Sequence, residues 1–439
     1  MTQEKYVAGY RAFLTQGKTE RKAYEAAVRL LEKAGFKPLS GKKKLKAGDR
    51  VYRGYHGKTL FAAVIGKAPT AQGLRVVGGH TDAPRLDLKP NPLYTKGDVT
   101  FFDTHMYGGI KKVQWLVLPL ALYGTVVKKD GTKVDIAVGD NPDDPVFLIS
   151  DILPHFGKEQ QEKPLKDAVA AEDLDVIAGL GDIEALLKEQ YGVEKDDLLS
   201  AELEIVPAGA PRETGLDRAL LAAYGHDDRV CAYAGLSALL ETAAGKPPAK
   251  TCAVVLCDKE EIGSVGASGM DSTFFENTVA ELIERETTCG ARDIDVRRAL
   301  EASQMLSADV CAASDPHFPN ADSIGNAARL GHGPCAIKYT GAASKSGAND
   351  ARAEFVAAMR RVLDDAGIPW QMGELGRAEK GGGGTIAKFM ARFGMDVLDF
   401  GTPLLNMHAP WELAAKEDCY NTQRAYRAFF AASEAALRL

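Results

Sequence analysis

From about Pro211 to its C-terminal end the chain alternates helix-period and strand-period segments, and this pattern restricts its fold more than any other feature. Apolar positions recur at helical spacing over 228–242, 294–304 and 351–366, and again over a closing stretch at 411–437. Between them lie short apolar runs at 251–257, 336–339 and 397–400. Parallel strands need long crossovers that pack back on the sheet, so such alternation gives a mostly parallel sheet flanked by helices. The N-terminal part adds an amphipathic helix at 19–34, closed by Gly35, and strands at 50–52, 59–65 and 74–77.

The segment from about 101 to 153 has another character, rich in β-branched and aromatic residues. Asp130-Gly131 between 125–129 and 132–138 is a hairpin signal, because that dipeptide accepts the positive φ of a tight turn. A charged helical segment at 167–190 and a strand at 202–206 follow. A chain of 439 residues also exceeds the roughly 250–300 residues at which one core stops growing. The expected architecture is α/β: a mixed, mostly parallel sheet flanked by helices, built from residues 1–94 and 213–439. A mainly β domain at 95–212 is inserted into it. Gly381–384 is the one glycine run.

The formal charge of −6 shows no basic surplus, which argues against nucleic-acid binding. The longest apolar run, 115–123, falls far short of the roughly 20 residues that span a bilayer. The opening MTQEKYVAGYRAFL has no long apolar core of a secretory signal. Seven scattered cysteines (Cys231, Cys252, Cys257, Cys289, Cys311, Cys335, Cys419) form no C-x-x-C pair and read as reduced thiols. The expectation is a cytoplasmic protein.

Candidate chemistry gathers at strand ends, where open α/β sheets form their sites. His80 ends an apolar run in GGHTDAPRLDLKP, and Asp82 stands where it can take the other ring N–H. Alone, such a pair is commonly a surface histidine beside an aspartate. In GHDDRVCAYAG, Asp227-Asp228 opens an amphipathic helix. N-capping needs only one of these carboxylates, whereas a carboxylate bridging two metals would explain the second. In AVVLCDKEEIGS an apolar strand runs straight into Glu260-Glu261, which repel unless a cation or proton intervenes. One glutamate could hold metal while the other moves a proton. Asp309 in MLSADV and His408 in LLNMHAPWE are unremarkable singly. Together these residues form a nitrogen and oxygen donor set that zinc accepts.

In this order, H-T-D, D-D before a helix, E-E-I-G-S after a strand, S-A-D and L-x-M-H, the chain resembles the aspartyl aminopeptidase family over essentially its whole length. The resemblance implies a dinuclear zinc aminopeptidase, with cobalt or manganese able to substitute. It implies His80, Asp227, Glu261, Asp309 and His408 as metal ligands, Asp227 bridging, Glu260 as general base and Asp82 orienting His80. It also implies a cis Asp227–Asp228 peptide, and assembly from dimers into a tetrahedral dodecamer. In that assembly a histidine of the insert reaches the adjacent subunit's site. His155 is the best match for it, with His105 as substitute.

The chain departs from the acidic-substrate members. TGAASKSGAND stands where they carry a K-Q-R-Y type segment, and GGGGTIAK is additional. A preference for acidic N-terminal residues needs a cationic pocket, for which Lys338, Lys345 and Arg377 are the candidates. A deacylase or carboxypeptidase on the same framework, or a non-catalytic assembly protein, are the alternatives. Glu260 beside Glu261 speaks against the last.

Overall fold

Strands Leu74–His80 and Thr251–Cys257 are buried at every position. Strands of that kind must be covered on both faces. In the computed structural model they lie at the middle of a nine-stranded sheet. The model describes residues 1–288, 290–323, 325–341, 344–378 and 381–437, so Cys289 and part of the 340–350 segment fall outside the described residues. The spatial order is Lys37–Pro38, Arg50–Tyr55, Thr59–Val64, Thr251–Cys257, Leu74–His80, Gln304–Ser307, Asp396–Gly401, Cys335–Ile337 and Gln371–Gly373. The four strands Thr251–Cys257, Leu74–His80, Gln304–Ser307 and Asp396–Gly401 pair in parallel.

One face packs on helices Gln3–Gln16, Glu20–Lys33, His226–Ala243, Ala353–Asp365 and Lys416–Ala431, with Val77, Val254, Leu306 and Leu398 reaching into that core. The opposite face carries Val76, Val255, Met305 and Val397 against Phe274–Glu286, Asp293–Glu301 and Ala387–Ala391. Among the described residues no helix is long and apolar enough to cross a membrane.

The second sheet is six-stranded and antiparallel, in the order Lys133–Val138, Leu120–Val127, Ala201–Pro207, Arg85–Lys96, Val99–Tyr107 and Val176–Gly179. It begins at Arg85, before the boundary read at residue 95, because the first strand continues from the His80 loop. It closes over its own core of Trp115, Leu122, Val126, Ile136 and Ile205. The apolar run 115–123 belongs mostly to this core, and only Val117 among its large side chains stands out in solvent.

Several boundaries differ from the periodicity. The stretch 411–437 opens as strand Glu412–Ala415 before turning helical at Lys416, since pairing with Leu220–Ala223 overrides the helical preference of Leu413, Ala414 and Ala415. These two strands, with Arg212–Thr214, Pro403–Leu405 and Cys311–Ala312, make a third, five-stranded sheet. The helix at 294–304 stops at Glu301, and Gln304 begins a strand. The charged segment 167–190 contains strand Val176–Gly179 before helix Ile183–Tyr191.

Helix Glu20–Lys33 is capped by the Thr19 side chain, and its first residue is fully buried. Glu20 pairs with Lys58 Nζ at 2.9 Å and with Arg85 Nη1 at 3.3 Å, joining a hairpin of the large sheet to the first strand of the second. Removing one partner of a buried ion cluster leaves the others charged and uncompensated. Glu20→Ala is therefore expected to cost roughly 3 kcal/mol. An unchanged midpoint of unfolding in urea would exclude this clamp.

Candidate metal centre

His80 is the last residue of its strand and lies opposite Cys257, the last of the neighbouring one, so the loops carrying Asp82 and Glu260-Glu261 leave the sheet side by side. Ser307 pairs with Gly78 on the other flank, which brings Asp309 to the same edge. The close approach depends on Gly79. A Cβ there would stand 2.5 Å from Asp228 Oδ2 and 2.7 Å from the Ala308 carbonyl. Asp227 opens helix His226–Ala243 with non-helical dihedrals, and the Asp227–Asp228 peptide is cis, as the resemblance implies. His408 sits at φ +65° between strands Pro403–Leu405 and Glu412–Ala415.

These five segments bring together two groups that share Asp227: His80, Asp227 and Asp309, and Asp227, Glu261 and His408. Within each, the donor atoms lie within 4.8 Å of one another. His80 Nε2 is 3.2 Å from Asp227 Oδ1 and 3.9 Å from Asp309 Oδ1. His408 Nε2 is 3.3 Å from Asp227 Oδ2 and 3.4 Å from Glu261 Oε2. Glu260 Oε2 faces the same histidine as Asp309, 3.9 Å from His80 Nε2.

The other ring nitrogens are engaged from behind. The Nδ1–H of His80 is shared between the Asp82 carbonyl at 3.1 Å and its carboxylate at 3.3 Å. His408 Nδ1 donates to the Gly109 carbonyl at 2.9 Å. Both Nε2 atoms are thereby turned toward Asp227.

So many acids in one buried place are costly. Burial, with Asp227 adding like charge, raises Glu261 well above the usual carboxylate range and brings Glu260 up to about 7. Asp309 is raised by burial and the nearby Asp228. The histidines are raised too, but in them the proton brings a positive charge. Against burial, Asp227 and Asp82 lift His80 far above its ordinary value, and Asp227 with Glu261 lifts His408 to about 10. Protons thus fill a place that asks for positive charge, on the atoms a metal would use. Glu261 Oε1 is buried without a hydrogen-bond partner, and Asp227 Oδ1 faces only the His80 ring, the mark of acceptors suited to a cation. Imidazole nitrogens and carboxylate oxygens in this number suit zinc.

The centre opens into a cavity of about 1150 Å³ walled by Gly381–384, Thr385, Phe389, Phe318 and Leu375, with Lys111, His317 and Lys388 as its basic groups. Lys338, expected to contact substrate, is half-buried and outside the lining, its carbonyl bound by Ala351 N–H. Lys345 pairs with Asp350 and Arg377 with the Asn320 carbonyl, and neither lines the cavity. His155 and His105 are exposed and also lie outside it. Lys388 stands four residues past Gly384, and the glycines and this lysine together lack the G-K-[ST] of a phosphate-binding loop. Glu412 was missed although it stands in the same MHAPWE stretch. Its carboxylate accepts from the backbone N–H of His408 at 2.8 Å and of Asp227 at 3.0 Å, holding both in place.

A family model described as "Aminopeptidase I zinc metalloprotease (M18)" matches residues 13–430. The chain belongs to the M18 family. Among M18 relatives, "Probable M18 family aminopeptidase 1" of Clostridium acetobutylicum is 47% identical, over 96% of this chain and 93% of that protein. The crystal structure of an M18 aminopeptidase from Thermotoga maritima shares 41% identity and superposes with a TM-score of 0.93, covering 98% of this chain and 96% of that one. The S. cerevisiae mApe1 dodecamer, 22% identical, has the same fold with a TM-score of 0.80, over 98% of this chain and 96% of that one. This M18 chain is accordingly a zinc metallo-aminopeptidase, a hydrolase of peptide bonds. A ligand that binds only the folded state stabilises it by about 2.7 kcal/mol at a hundredfold excess over Kd. Zinc added to metal-stripped protein should raise the calorimetric midpoint with increasing concentration. A midpoint independent of zinc would exclude a metal centre here.

Proposed function

We propose that the enzyme removes the N-terminal residue of peptides at a centre of two zinc ions bridged by Asp227. The observation that carries this reading is the sharing of Asp227 between two donor groups, with Oδ1 toward His80 and Oδ2 toward His408. His80 and Asp309 would hold one ion, Glu261 and His408 the other. Cobalt or manganese suits the same donors.

Bound zinc supplies a Lewis acid for the scissile carbonyl and lowers the pKa of water toward about 7. Glu260 takes the proton of the attacking water and returns it to the departing amine. Its carboxylate lies at the edge of the shared donors, 3.9 Å from His80 Nε2, which is where a water between them and the substrate would be reached. Asp82 holds the His80 ring so that Nε2 faces the centre. The cavity beyond, with its glycine wall, takes the side chain of the residue to be removed. Glu260→Gln is expected to lower kcat by about 10²–10⁴-fold with zinc content unchanged. His80→Ala and His408→Ala should lower zinc content instead. A folded but metal-free Glu260→Gln protein would exchange the roles of Glu260 and Glu261.

Residues 1–94 and 213–439 form the catalytic unit in this reading, and 95–212 the interface and lid unit, with strand Arg85–Lys96 passing from the first into the sheet of the second. The enzyme works as a dodecamer built from dimers, in the cytoplasm, where its six described cysteines stay unpaired. Support for assembly comes from apolar side chains that the insert leaves in solvent around His155, namely Ile152, Leu153 and Phe156, the last 73% exposed. The mApe1 dodecamer shares the fold. His155 would then complete the neighbouring subunit's site. Mixing inactive Glu260→Gln with inactive His155→Ala protein after dissociation should restore part of the activity. No recovery, or full wild-type activity as a monomer in light scattering, would exclude the shared site.

A further inference from the structure

The inserted sheet supplies none of the five candidate ligands, yet two of its groups stand directly behind the two histidines. Strand Val99–Tyr107 ends on Tyr107, whose hydroxyl donates to Asp82 Oδ2 at 2.9 Å. Two residues on, the Gly109 carbonyl accepts from His408 Nδ1 at 2.9 Å. We propose that Tyr107 is a positioning residue that fixes the His80 ring through Asp82, so that the insert sets the metal centre of its own subunit. The inference rests on the reading of His80 as a metal ligand.

Asp82 is fully buried, and its carboxylate meets four donors. Oδ1 receives the Glu260 N–H at 3.2 Å and faces His80 Nδ1 at 3.3 Å. Oδ2 receives the Glu261 N–H at 3.2 Å and the Tyr107 hydroxyl, which makes the shortest of these contacts. Three donors belong to the segments that Asp82 must align. They move with the centre and cannot by themselves fix it to a frame. The fourth comes from a different sheet and supplies the external reference.

Tyr107 is itself held. The Arg85 guanidinium stacks over its ring at 3.8 Å and is fixed in turn by Glu20, Asp87 and Glu204. A tyrosine that merely filled space would need neither the hydroxyl contact nor the cation above it. Losing the hydroxyl would leave Oδ2 with one longer hydrogen bond, and the carboxylate would turn to recover another, leaving the His80 Nδ1–H on the Asp82 carbonyl alone and the ring free to tilt. Groups behind metal-binding histidines typically tune affinity by about 10–100-fold.

Tyr107→Phe keeps the ring and the Arg85 stack and removes the hydroxyl alone. We expect its zinc affinity, measured by competition with a chromogenic chelator, to fall about tenfold, the low end of that range for a group one bond further out. The visible spectrum of the cobalt-substituted protein should shift as well, a change in the metal's surroundings that a loss of stability alone does not produce. Zinc affinity within twofold of wild type together with an unchanged cobalt spectrum would overturn the proposal. His80→Ala is measured alongside. If it keeps full zinc content, the ligand reading fails and the inference falls with it. If it loses zinc while Tyr107→Phe binds like wild type, only the positioning role is removed.

Discussion

Asp82 carries its charge where no water reaches, which a protein tolerates only when donors meet both oxygens. Burial works against ionisation there, but His80 and the Tyr107 hydroxyl hold the carboxyl below its usual range. The donors around it come from the end of one central strand, the turn after the next, and the last residue of a strand in another sheet. One carboxylate therefore sets the distance between three parts of the chain that share no sequence neighbourhood. The remaining acids, Asp227, Glu261 and Asp309, then converge on ground that Asp82 has already fixed. Their mutual repulsion is what makes the place selective for cations.

Glu412 performs a similar service on the opposite side. It is buried and raised to about 8 by burial and the Asp227 charge, and it ties the N–H groups of Asp227 and His408 with its two oxygens. The two carboxylates differ in what they orient. Asp82 directs a ring, whereas Glu412 directs backbone, fixing the cis Asp227–Asp228 turn against the left-handed His408. Neither lies in the cavity lining.

Much of the centre was legible in the sequence because its residues sit in short local patterns. His80 and Asp82 are two apart, Glu260 and Glu261 are adjacent to a buried strand, and Asp227 opens a helix. What could not be read there depends on contacts between distant segments. Glu412 looks like any glutamate near a tryptophan, and its meaning appears only once Glu412–Ala415 pairs with Leu220–Ala223 beside Asp227. Local preference misread this same strand as helix, since alanine and leucine favour helix until a partner strand is in place. The Gly109 carbonyl has no side-chain signature at all. The basic groups of the cavity, Lys111, His317 and Lys388, lie far apart in sequence and meet only across the fold.

The order in which the five converging residues occur has a consequence for synthesis. His80 emerges long before His408, and each of the two groups that could hold an ion draws on widely separated positions. At about 5–20 residues per second, roughly half a minute passes at the ribosome between the first and the last of them. The shared Asp227 arrives midway, and the second group is complete only when His408 has left the exit tunnel. A chain made only as far as Asp309 therefore carries the first group alone, and the shared Asp227 lacks its second set of neighbours until His408 has been made.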